Sequence, residues 1–175
     1  LEFRRVLFRS EAELAFQAGE RYLSSDRYKA NEAYEKAIKL RPAFIDAYVA
    51  LARVQGDVGD FDAAKRALAA VKRLRPGYAE ASAVEGRILK DAGEEDKAIA
   101  AFKRAVTEGK GIQPEALTGL GILYKERAEG FGGAGDFTNE AANYSDAAKD
   151  LRLALKQLSG APDARSEEHT SELQS

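Results

Sequence analysis

There is no cysteine anywhere in the chain. Thiol catalysis, disulfides and Cys/His zinc sites are therefore excluded. The lone histidine, His169, sits near the C-terminal end, and the formal net charge is only -2. Without an excess of either sign, nothing points to nucleic acid or an anionic membrane surface as a partner. No apolar run approaches the ~20 residues that a membrane helix requires. No stretch combines period-two alternation with β-branched enrichment, so no sheet is expected.

The two ends mirror each other at the level of codons. Leu1 is the antisense of Gln174, Glu2 of Leu173, Phe3 of Glu172, and so on through Ser10 and Arg165. Ten consecutive pairs fit one inverted repeat in DNA, and selection on a protein has no reason to produce that. Residues 1–10 and 165–175 resemble translated sequencing adapter and are set aside as tails. On that reading the segment 11–164 is cut at both sides, and a signal peptide or anchor could have preceded it. With the four basic and four acidic residues of the tails removed, 27 basic against 29 acidic becomes 23 against 25.

What the segment does have is a period of 34 residues. Phe44, Tyr78 and Ile112 fall on it. So do the columns Ala30/Ala64/Ala98, Tyr34/Leu68/Phe102 and Ala37/Val71/Ala105. Gly59 and Gly93 recur with it, as do Arg41-Pro42 and Arg75-Pro76. Each period splits into two amphipathic stretches. Tyr48, Leu51, Ala52 and Val54 give 45–57 one apolar face; Phe61, Ala64, Leu68, Val71 and Leu74 do the same for 61–74. Gly59 ends the first stretch and Asp60 can cap the second. Pro76 ends the second and drives Arg75 out of helical geometry. The same logic predicts helices near 12–23, 28–40, 79–91, 95–108, 115–128 and 138–158. The last would carry Phe137, Ala141, Tyr144, Ala148, Leu151, Leu155 and Leu158 at alternating steps of four and three.

These columns resemble the tetratricopeptide repeat family. The resemblance rests on Tyr48, Leu51, Ala52, Gly59, Phe61, Ala64, Leu68, Val71 and Pro76 in one unit, and on Gly86, Leu89, Gly93, Ala98, Phe102 and Ala105 in the next. Ala18, Gly19, Tyr22, Tyr28, Ala37 and Pro42 fit an earlier unit if one residue is missing after Tyr28. Leu120, Gly121 and Tyr124 open a later one. The resemblance implies an all-α, right-handed solenoid of about four antiparallel helix pairs, with units near 11–44, 45–78, 79–113 and 114–162. Two departures stand out. Gly109-Lys110-Gly111 replaces the closing proline of the third unit, and an insertion near 129–137 separates the helices of the fourth. The register of the last helix is open between Ala147/Leu151/Ala154 and Glu140/Tyr144/Ala147; the first is preferred because it keeps Tyr144 at the usual aromatic place.

Three chemical motifs reduce to structure. Gly130-Phe131-Gly132-Gly133-Ala134-Gly135 spells G-x-G-x-x-G, but a dinucleotide fingerprint needs a strand before it; a flexible, mobile insertion is expected instead. Carboxylates such as Glu94-Glu95-Asp96 sit at turns and helix starts, where the helix dipole favours them. The basic pairs Lys65-Arg66, Lys72-Arg73 and Lys103-Arg104 read as solvated faces.

The resemblance also implies a concave groove lined by the first helix of each unit. Its columns would be Val49/Ala83/Thr118, Ala50/Val84/Gly119, Arg53/Arg87/Ile122 and Gly56/Lys90/Lys125. Groove residues are therefore expected at Val49, Arg53, Val84, Arg87, Ile122 and Lys125. Arg53 and Arg87 lie one period apart and suit carboxylates. Pairing with Asp57 and Asp91 on their own helices is the alternative. The family's chaperone-tail binders use an asparagine column that here reads Gln17, Ala50, Val84 and Gly119, a departure from that subtype. The expected function is a protein-interaction scaffold for a peptide or partner segment, acidic in character, with no catalysis, cofactor or metal. Alternatives are a non-catalytic repeat region of a larger enzyme or membrane-anchored assembly protein, or a client-holding chaperone.

Overall fold

A computed structural model describes residues 10–160. Within them the chain forms eight helices: α1 (Glu11–Tyr22), α2 (Arg27–Leu40), α3 (Ile45–Asp57), α4 (Phe61–Leu74), α5 (Ala79–Asp91), α6 (Glu95–Glu108), α7 (Pro114–Gly133) and α8 (Phe137–Ser159). No strand occurs among the described residues. Consecutive helices pack as pairs, and the pairs stack into a right-handed solenoid.

Local chemistry sets the boundaries. Asp26, Asp60 and Asp136 each accept a backbone N–H at the start of a helix, satisfying donors that have no partner within it. Gly59 and Gly93 turn the chain between paired helices at φ 81° and 76°, where a side chain would be strained. Arg75, ahead of Pro76, leaves the helical region at φ -145° and ψ 85°.

The 34-residue columns form the core. Ala30, Ala64 and Ala98 are fully buried, and Tyr34, Leu68 and Phe102 fill the space beside them. Tyr34 and Phe102 each meet a glycine on the preceding helix. A Cβ added at Gly86 would lie 2.5 Å from the Phe102 ring, and one at Gly19 would strike Tyr34. In the last pair Gly121 lies under Leu151, while Ala147 and Ala154 are buried. Gly121 and Leu151 thus repeat the geometry of Gly86 and Phe102.

The insertion behaves differently from its expected form. Residues 129–133 are the end of α7, and only Ala134, Gly135 and Asp136 turn the chain into α8. Helix α7 has 20 residues against 13 in α5, and α8 has 23 against 14 in α6. The inserted sequence therefore lengthens both arms of a hairpin. One glycine there serves close approach: a Cβ on Gly132 would meet the Glu140 carboxylate. Packing against α8 offsets the cost of about 1 kcal/mol per helical glycine. The expected apolar face of α8 is also corrected. Phe137, Tyr144, Leu155 and Leu158 are exposed, because the array covers α8 only on the side of Ala147 and Ala154.

The terminal tails read from the codon pattern lie outside the described residues, apart from Ser10. Ser10 caps α1 in a reciprocal capping box with Glu13, and its hydroxyl also accepts from Arg41 at 2.7 Å.

Candidate binding groove

The first helices α3, α5 and α7 line up, and the second residue of each is acidic: Asp46, Glu80 and Glu115. Two of these acids, Glu80 and Glu115, face Arg53. Arg53 on α3 donates to both carboxylate oxygens of Glu115 on α7, at 2.8 and 2.5 Å. It also reaches Glu80 on α5 at 3.3 Å. Burial disfavours the Arg53 charge, but the Glu115 and Glu80 carboxylates more than offset it and raise its pKa. Glu80 further accepts from the Tyr78 hydroxyl at 2.9 Å, and burial together with that carboxylate pushes the phenol up to about 12.

Arg87 is held less completely. One terminal nitrogen lies 3.3 Å from Asp57, and the other donates to the Arg53 carbonyl at 3.4 Å. Its buried Nε has no acceptor among the described residues. Neither arginine makes the same-helix pair considered from sequence; the partners come from other units.

This charged bridge divides the concave face into two hollows. One, of about 260 Å³, lies between α1 and α3 and is lined by Phe16, Leu23, Tyr34, Val49, Ala50 and the acids Glu20, Asp46 and Glu80, with Arg53 at its edge. The other is a cup of about 370 Å³ between α5, α7 and the end of α8. Its floor is apolar: Phe102, Pro114, Gly119, Ile122 and Leu158, with Thr118. Arg87, Lys90 and Glu115 stand around it. A Cβ on Gly119 would collide with the Phe102 ring, so the cup is built on a helix crossing that only glycine permits.

The six expected groove residues separate accordingly. Val49 and Arg53 border the first hollow, and Arg87 and Ile122 the second. Val84 does not line the groove: it is fully buried in the core that α3 and α5 share with Val49. Lys125 does not line either hollow but pairs with Glu129 one turn along α7 at 2.5 Å. Glu80, Glu115 and Leu158 were missed. The acidic column at 46, 80 and 115 was visible as a repeat, but acids at helix starts have a sufficient reason in the dipole.

With this geometry in place, a family model for the tetratricopeptide repeat matches residues 45–78 and 79–108. Residues 45–108 are tetratricopeptide repeats. The matched boundaries coincide with the starts of α3 and α5. No curated protein matches the chain by sequence. Solved tetratricopeptide structures are similar in fold. A crystal structure of MamA is 22% identical, with a TM-score of 0.62 over 83% of this chain and 81% of that one. MamA from Desulfovibrio magneticus RS-1 gives 19% identity and a TM-score of 0.62 over 87% and 78%. The first such domain of Spaghetti (RPAP3), bound to the HSP90 peptide SRMEEVD, gives 17% and 0.59 over 67% and 94%.

Proposed function

We propose that this repeat array is a non-catalytic protein-interaction scaffold, and that its concave face holds a peptide by an apolar side chain seated in the α5–α7–α8 cup. The observation that carries this reading is the cup itself: an open apolar floor with Arg87 and Lys90 at its rim. An apolar residue flanked by carboxylates fits that chemistry, since the floor gains from burying it and the rim cations attract acids. A fold neighbour with a peptide bound is consistent with such use. Arg53 contributes differently from its sequence-based role. Its fork is already filled by Glu115 and Glu80, so it organises the groove wall, and Arg87 with Lys90 faces the ligand.

A peptide array in which one apolar residue is walked through acidic flanks tests this. Peptides carrying the apolar anchor should bind, and Ile122→Gln should weaken them about tenfold, the ~1.4 kcal/mol of one lost apolar contact. Arg87→Gln should weaken only the acidic peptides and reduce the salt dependence. Binding that survives Ile122→Gln undiminished would remove the cup from the function.

A further inference from the structure

The concave face carries opposite charge at its two ends. Around the α5–α7–α8 cup stand Arg87 and Lys90, while Glu115 is taken up by Arg53. Around the hollow between α1 and α3 stand three acids from three helices: Glu20 near the end of α1, Asp46 in the first turn of α3 and Glu80 in the first turn of α5. Glu80 shares Arg53 with Glu115, whose two oxygens fill the fork. Glu20 accepts from the Tyr34 hydroxyl at 2.5 Å, which fixes its carboxylate at the hollow. Neither Glu20 nor Asp46 forms an ion pair among the described residues. Arg53, the cation at the hollow's edge, is thus committed elsewhere, and negative charge stands unpaired beside an apolar surface. That surface is Phe16, Leu23, Val49, Ala50 and the Tyr34 ring. No three acids among the described residues converge closely enough to hold a metal ion. Acids spread around an apolar hollow match a long basic side chain instead. Its hydrocarbon stem lies along apolar surface, and its head presents several donors. A guanidinium suits this setting better than an ammonium, because it is more weakly hydrated and stacks on aromatic rings.

We propose that this hollow is a second subsite for the peptide whose apolar residue sits in the cup, a reading that depends on the one given for the cup, and that it takes an arginine side chain of that peptide. The spacing of the two subsites follows from the stacking. The hollow lies between α1 and α3 and the cup between α5 and α7, which is two helix spacings of ~8–10 Å. Roughly 16–20 Å separates them, or about five or six residues of extended chain at ~3.3 Å each. The Arg53–Glu80–Glu115 bridge lies between them, and the intervening backbone of the ligand crosses it. The ligand is therefore bipolar. Its arginine meets the acids of the first hollow, and its apolar residue with acidic flanks meets the cations of the cup. Charge complementarity of this kind fixes register and direction along the groove.

The test uses the full chain and two probes. The first is a series of labelled peptides with one leucine in acidic flanks and an arginine walked outward from it. Fluorescence anisotropy should show tightest binding at a separation of about five or six residues, with an advantage of about fivefold over the same peptide carrying alanine there. Asp46→Asn should bring the arginine and alanine peptides together. Asp46 is the better probe than Glu20, which also holds the Tyr34 hydroxyl. Ile122→Gln should weaken both peptides and keep their ratio. The second probe needs no cup. N-acetyl-arginine amide, titrated into the isotope-labelled chain, should shift the amide signals of Phe16 and Ala50, and should do so less in Asp46→Asn; N-acetyl-glutamine amide should not shift them. An arginine advantage that is the same at every separation, or that survives Asp46→Asn, would overturn the proposal. So would the absence of any shift at ~50 mM of the arginine probe, where even a site with a Kd of ~10 mM is mostly filled. Shifts from that probe without binding of any leucine peptide would remove the cup's role while the arginine site stands.

Discussion

Ala64 and Ala98 are fully buried in the repeat core, whereas Ala100, two positions along the same helix as Ala98, faces solvent. Small side chains here permit close crossing, and added volume has nowhere to go. Ala64→Leu or Ala98→Leu should lower stability by about 1–3 kcal/mol; Ala100→Leu should change it by less than about 0.5 kcal/mol. Gly86→Ala should behave like the first group, since its Cβ would meet the Phe102 ring. Chemical denaturation of the four variants reads these differences, and equal midpoints would contradict the core columns. Such columns were legible because a period of 34 residues repeats them. The roles of Arg53 and Val84 were not: one period places both in groove columns, but the stacking of α3 on α5 buries Val84, and Glu115 of α7 with Glu80 of α5 fills the fork of Arg53. Sequence periodicity reports which positions are equivalent, not what a neighbouring unit supplies to them.

At the scale of elements, capping residues, glycines and prolines placed six of the seven turns between the eight described helices, because each signal acts within a few residues. The end of α7 escaped them. Glycine-rich sequence costs helix stability locally, and the compensating contact, α8 alongside, lies beyond any local window. Gly130 has open space around its added Cβ and lies in helix, so Gly130→Ala should stabilise the hairpin by about 0.5–1 kcal/mol. Amides across 129–133 should show helical hydrogen-exchange protection; rapid exchange and a fall in stability on Gly130→Ala would restore a flexible loop. The Asp136 cap supplies a pH test on the same hairpin. Hydrogen bonds from the Asn139 side chain and backbone hold its carboxyl below the ordinary 3.8. A depressed folded-state pKa contributes stability above 3.8 that disappears as pH falls through the lower folded value. Asp136→Ala should therefore melt earlier than the parent at neutral pH, and the two midpoints should converge as the pH is taken well below the ordinary 3.8.

In the whole molecule, a repeat array is held mainly by contacts between nearest neighbours, and Arg53 breaks that rule. It joins α3 directly to α7, one full unit beyond its neighbour, with Glu80 of the intervening α5 in the same network. The bond is bidentate and both side chains are about 70% buried, at 29% and 30% exposure, so screening weakens it less than an ordinary surface pair. The bridge should therefore couple the second and fourth units during unfolding. Arg53→Glu is a poor probe, because it would set a third carboxylate between Glu80 and Glu115. A double-mutant cycle of Arg53→Gln and Glu115→Gln is cleaner. The expected coupling is about 1 kcal/mol, with a broader transition in each single variant as the units begin to unfold separately. A coupling indistinguishable from zero, with transitions as sharp as the parent's, would mean that nearest-neighbour stacking alone sets the cooperativity and that Arg53 only closes the groove wall.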